Sequence, residues 1–151
     1  MKLIRRKALA LFAGLAAAAV TLPAGLAHAA DMPAPLDNPG DVKIALVHAS
    51  YRMQLRGPAD GLPAIKSQVR MVADSPLFDW RWFADRYSLT LPDSMAAAEY
   101  YVRAGAFDGL DPSADFENMA YYLANPDVAK AGWPALVHYL HIGKADCRPL
   151  T

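Results

Sequence analysis

The sequence predicts an all-α fold of short, proline-delimited helices, arranged as about two 38-residue repeats behind an N-terminal helical segment. Three observations carry this. Phe116, Met119, Ala120 and Leu123 recur at i, i+3, i+4, i+7, which lines one face of a helix. Pro126, Gly132, Pro134 and Gly143 punctuate the pattern where helices start and stop. Sliding the chain by 38 residues lays Phe78 on Phe116, Tyr101 on Tyr139, Gly105 on Gly143 and Asp108 on Asp146. Phe83 then falls on Tyr121, Ala98 on Leu136 and Val102 on Leu140, so apolar character is kept where a repeated helical pair needs it.

The chain of 151 residues opens with Lys2, Arg5, Arg6 and Lys7, then the apolar run Ala8–Val20 and a small-residue site, Ala27-His28-Ala29. That order describes a cleaved export signal over residues 1–29, and Pro23 and Gly25 break the run before it reaches the length of a span. No cysteine follows the site to take a lipid. The expected location is periplasmic or secreted. Of 15 basic and 15 acidic residues the signal holds four basic ones, which leaves a mature net charge of −4. A mildly acidic domain carries no footprint for nucleic acid or for an anionic membrane surface. About 120 residues suffice for one compact domain.

Residues 30–40 read as a Pro-rich linker. In the N-terminal segment, 41–74, KIALVHASYR half-alternates like a strand, but Val42, Leu46, Ala49 and Met53 make a helical stripe. Helix is the preferred reading, with Asp41 as its cap and Gly57 as its end. Pro63 suits a first helical turn, Ile65, Val69 and Val72 follow at helical spacing, and Asp74-Ser75-Pro76 stops the helix. Residues 75–113 form the first repeat and 114–151 the second. In the second, Asp115 or Ser113 caps the helix containing Phe116, and Asn125-Pro126 stops it. A short turn runs from Pro126 to Gly132, and Trp133-Pro134 restarts the stripe through Leu136, Tyr139, Leu140 and Gly143.

Phe78-Asp79-x-x-Trp82-Phe83-x-x-x-Tyr87 and Tyr121-Tyr122-Leu123-Ala124-Asn125-Pro126-Asp127-Val128-Ala129-x-Ala131-Gly132, followed by Pro134-x-Leu136-x-His138-Tyr139-Leu140-x-x-Gly143, resemble a bacterial tandem repeat. Its consensus runs FDxxWYLxxYPDVAxAGxxPLxHYLxxGxxEGRxPSPLFD. The resemblance covers Ser75–Pro149 and departs from the pattern in the first unit, where Ser88-Leu89 replaces the Pro-Asp pair. Such repeats occur beside glycosyltransferase and rhamnan-synthesis-type domains and in large secreted calcium-binding exoproteins. The resemblance implies association with envelope or extracellular polysaccharide and brings no catalytic residue.

The residue chemistry offers few sites. His138 and His141 share one side of a helix near Asp146 and Cys147, a set that could ligate a metal, yet their run is mostly core, and no metal or other cofactor is expected. Asp79, Asp85, Glu99, Asp108 and Asp127 could pair as in a glycoside hydrolase, but helix caps and turns explain them. Trp80, Trp133, Tyr100, His138 and His141 are the candidate glycan or partner contacts. Trp80 lies two residues from both Phe78 and Trp82 and so should point away from their shared face. Cys147, alone in the chain, is the candidate for an intermolecular disulfide.

The reading is a non-enzymatic, exported helical-repeat protein that binds envelope polysaccharide. The alternative is an accessory subunit, or a self-assembling protomer, of an envelope protein complex, since a solenoid of two units is poorly self-capped. A small glycan-active hydrolase ranks third. Exposed tryptophans would favour the glycan, and a contiguous apolar patch would favour assembly.

Overall fold

The computed structural model describes residues 38–151, so the expected signal and most of the linker lie outside the described residues. Seven α-helices occur among them: α1 (Pro39–Arg56), α2 (Ile65–Ala73), α3 (Trp80–Arg86), α4 (Ser94–Tyr100), α5 (Asn118–Ala124), α6 (Pro126–Ala131) and α7 (Ala135–His138). α4 and α7 each continue directly into one π-helical turn, Tyr101–Gly105 and Tyr139–Gly143. The described residues contain no strand, only an isolated bridge between Ser113 and Phe116. The all-α expectation holds. No helix of the described residues is long and apolar enough to cross a membrane.

The ambiguous N-terminal segment is helical, and Val42, Leu46, Ala49 and Met53 are its buried face. It starts before the expected Asp41. Asn38 is the cap, its side-chain oxygen accepting from the Gly40 N–H at 2.9 Å, and Pro39 takes the first helical position. The linker therefore ends inside what reads as Pro-rich tether, because a proline at a helix start needs no N–H partner. Asp41 instead sits in the first turn, where the helix dipole favours an acid. α2 begins at Ile65, just past Pro63, whose carbonyl accepts from the Gln68 side chain at 2.6 Å.

α5 also departs from the expectation. The expected stripe was Phe116, Met119, Ala120 and Leu123, but the helix buries Asn118, Tyr121 and Tyr122, and Met119 and Leu123 are half-buried. Phe116 belongs to the incoming segment, buried ahead of the helix. Neither Asp115 nor Ser113 caps α5. The Asp111 carboxylate does so from outside, accepting from the Asn118 N–H at 2.7 Å. Burial raises the Asp111 carboxyl pKa from its ordinary value, and that hydrogen bond opposes the rise.

Helix bounds recur at the offset seen in the sequence. α3 and α5 are 38 residues apart at both ends, and so are the two π-helical turns. The turns close alike: Leu110 N–H donates to the Gly105 carbonyl at 2.8 Å, and Arg148 N–H to the Gly143 carbonyl at 2.9 Å. Each π-turn glycine lets an aromatic ring come close. A Cβ on Gly105 would lie 3.3 Å from Phe83 Cζ, and one on Gly143 would lie 2.5 Å from Tyr121 Oη. The two stretches differ between their helices: α6 follows α5, whereas the chain, with Ser88-Leu89 at the corresponding positions, crosses from α3 to α4 without a helix.

Positions 109 and 147 occupy matching places in the two exit turns, and both are left-handed, with φ 76° at Gly109 and 53° at Cys147. An L side chain pays a steric cost there that glycine avoids. Cys147→Gly should therefore raise stability by about 0.5–1 kcal/mol, and Gly109→Ala should lower it by about 1 kcal/mol. No atom lies within 4 Å of a Cβ built on Gly109, so the second change tests the backbone alone. Urea titration of both variants checks the pair, and equal signs would contradict the assignment.

Candidate functional site

The structure separates the sequence-predicted site residues. Trp80, at the first position of α3, is half-buried against the core, and the Arg81 guanidinium lies 4.8 Å over its ring. Tyr100 is half-buried at the end of α4, its ring tilted on Phe83 at 6.2 Å. Trp133, His138 and His141 do come together: Trp133 meets the His138 ring edge-on at 5.4 Å and the His141 ring at 6.2 Å. Trp133 also lies beneath Gly61, where a Cβ would sit 3.1 Å from its ring. Trp82 packs edge-on against Tyr87. All three tryptophans are half-buried, so no pair of them forms an open stacking platform.

His138 is held in the core. Its Nδ1 is 2.7 Å from Tyr121 Oη, and burial, helped by the Arg148 charge, pushes its pKa down to about 4. The neutral ring accepts from the hydroxyl, because burial keeps the Tyr121 phenol protonated far into the alkaline range. His141 and Cys147 are exposed. Among the described residues no three His, Cys, Asp or Glu side chains converge as metal donors.

The carboxylates are engaged locally. Asp79 caps α3 by accepting from Arg81 N–H at 3.1 Å and Trp82 N–H at 3.0 Å, and Asp93 caps α4 through Ala96 N–H at 2.8 Å. Arg148 grips Asp127 with two parallel bonds at 3.0 and 2.9 Å, fixing the C-terminal tail to α6. Glu99 pairs with Arg103 one turn on. These carboxylates hold helix ends and the tail rather than opposing one another across a cleft.

The feature that the sequence reading passed over is the outer face of α1. Ile44, Val47, Tyr51 and Leu55 are 60, 56, 65 and 79 % exposed and follow one another at i, i+3, i+7, i+11. They form a second apolar stripe, on the side of the helix away from Val42, Leu46, Ala49 and Met53. Their combined open surface is roughly 500 Å2, at the upper end of what a monomer leaves uncovered. The signal was available, since the outer stripe has helical spacing like the inner one.

Beside it, a groove of ≈ 270 Å3 is lined by Ala45, His48, Ala49, Arg52 and Lys130. Arg52 fixes α1 to α6 there, its guanidinium donating to the Ala131 and Gly132 carbonyls at the end of α6. The stripe is thus presented by a helix whose inner face and far end are both anchored. No protein-family model, no curated protein and no solved structure matches the chain.

Proposed function

We propose that this chain is a non-catalytic helical-repeat protein of the cell envelope that works by docking another protein on the outer face of α1. The observation that carries this is the row Ile44, Val47, Tyr51 and Leu55 on an anchored helix. Apolar surface of that extent gains free energy when covered, at about 25 cal/mol per Å2. Export follows from the basic, apolar and small-residue order of residues 1–29, and the two-unit repeat is supported by the 38-residue recurrence of helix and π-turn bounds.

The polysaccharide reading rests on the resemblance of Ser75–Pro149 and finds less support in the geometry. Its two tryptophan candidates are covered: Trp80 by Arg81, and Trp133 by Gly61 and the two histidines. A sugar ring stacks on an open face, which neither offers.

The test is photocrosslinking in the native envelope, with a benzoyl-phenylalanine placed at position 51 and, as control, at position 66, which is exposed on α2. A discrete protein adduct from position 51 and none from position 66 is the expected result. Absence of any protein adduct, together with polysaccharide retained on the purified protein, would return the role to glycan binding.

A further inference from the structure

Resting on that docking reading, we infer that the partner of the α1 face is a second copy of this chain, packed as an antiparallel, two-fold helix pair. Ile44, Val47 and Tyr51 are separated by three and then four residues, as in a coiled-coil seam, and Leu55 follows at four, so only the first three keep seam spacing. Side-chain size selects the direction. A parallel pair stacks Tyr51 against Tyr51 and Val47 against Val47, leaving a bulge beside a gap. An antiparallel pair seats each Tyr51 over Val47 of the second copy, and at each end Ile44 lies beside Leu55, one residue out of step with it. A two-fold axis makes each contact twice, which is how a self-complementary patch closes without extending into a fibre.

Charge agrees with the same register. Asp41 lies in the first turn of α1 and Arg56 in the last. When Val47 faces Tyr51 of the second copy, Asp41 of each chain comes within one residue of Arg56 of the other at the two ends of the pair. Lys43 then faces Leu55 and Ile44 faces Gln54, so no cation faces Lys43 directly. Opposed helix dipoles add to this, whereas a parallel pair would place both acids together and both arginines together. The area is sufficient for a modest interface. The two stripes cover roughly 1,000 Å2 of apolar surface between them, the threshold for a specific interface, which the polar rim enlarges. Such a dimer forms at concentrations on the order of micromolar rather than nanomolar.

The experiment uses the mature chain carrying Cys147→Ser, so that a disulfide at that position does not contribute. Sedimentation equilibrium from about 1 µM to 500 µM should show a reversible shift from monomer mass to twice that mass. Tyr51→Glu should abolish the shift, and its far-UV circular dichroism should stay unchanged because the residue is already exposed. Direction is read by oxidising mixtures of single-cysteine variants. Val47→Cys mixed with Tyr51→Cys should cross-link faster, by roughly tenfold, than Tyr51→Cys alone.

A chain that stays monomeric to 500 µM overturns the inference, and so does a dimer that survives Tyr51→Glu. Fast cross-linking of Tyr51→Cys to itself overturns the antiparallel arrangement. These failures are separable from failure of the docking reading: a monomer in solution with a foreign protein adduct from position 51 leaves docking intact and removes self-association.

Discussion

Tyr101→Phe, the loss of one oxygen atom, should destabilise the protein by about 2–4 kcal/mol and lower its Tm by roughly 10 °C. The hydroxyl is at the centre of a buried relay. It accepts from the Leu136 N–H at 3.2 Å and donates to Asn118 Oδ1 at 2.7 Å, and the Asn118 amide donates in turn to the Leu110 carbonyl at 2.6 Å. Tyr101 opens the π-helical turn that continues α4, Asn118 opens α5 and Leu136 lies in the first turn of α7, so one phenol joins three helical segments. The need comes from α7. Its cap position is Pro134, which offers no side-chain acceptor, so its first N–H groups would be orphaned. Tyr101 takes Leu136, and Tyr122 takes Ala135 at 3.0 Å while donating to the Trp133 carbonyl.

Phenylalanine would leave a buried N–H and a buried amide oxygen without partners, and burial is what makes that costly. The same burial keeps both phenols protonated, and therefore able to donate, far above the ordinary tyrosine range. Tyr100→Phe is the internal control, since that half-buried hydroxyl makes no hydrogen bond to another described residue. Urea denaturation should show it near neutral. A Tyr101→Phe cost below about 0.5 kcal/mol would mean that the relay does not hold α7.

That relay shows why the fold was partly legible. Local signals read correctly: the α1 inner stripe, the stop at Gly57, the Asp79 cap, and the Pro126 start and Gly132 stop of α6. Each depends on residues within a turn of one another. The α1 cap moved only three residues, from Asp41 to Asn38, because the prolines around it read as tether, whereas the contacts that hold the starts of α5 and α7 are non-local. Asp111 caps α5 from seven residues away, and Tyr101 reaches Leu136 across 35. The buried face of α5 was misjudged because Asn118 scores as polar, although its hydrogen bonds place it at the centre of the core.

The candidate site was harder to read for another reason. A helix with apolar stripes on opposite sides has little net amphipathicity, so finding the inner stripe of α1 hid the outer one. Trp80 shows the converse. Spacing from Phe78 and Trp82 points it outward, but Phe78 precedes the helix, and a residue outside α3 does not set the direction of one inside it.

Acidification should destabilise the protein through His138, by about 3 kcal/mol between pH 6.5 and pH 4. The sign follows from proton counting. The folded pKa is about 4 against an ordinary 6.5, so between those values the unfolded chain binds a proton that the folded chain refuses. The contribution is complete above pH 6.5 and is lost as the pH falls toward 4. Burial is the main cause, the Arg148 charge adds to it, and Asp127 and Asp146 work the other way. Protonation would also turn Nδ1 from acceptor to donor, so the bond from the Tyr121 hydroxyl would have to reorganise. Gly143 confines the pair, since even a Cβ there would lie 3.2 Å from His138 Nδ1. Asp111, with its pKa raised by burial, has the opposite linkage and stabilises the fold in acid, so the parent profile alone mixes two signs. His138→Asn separates them, because its Oδ1 can take the place of Nδ1 and does not titrate. Urea titrations at pH 7, 6, 5 and 4 should show the parent losing more stability than the variant, with the gap opening below pH 6.5. NMR titration assigns the cause: a His138 ring that titrates near 6.5, as an exposed imidazole does, would remove this group as the source of acid sensitivity.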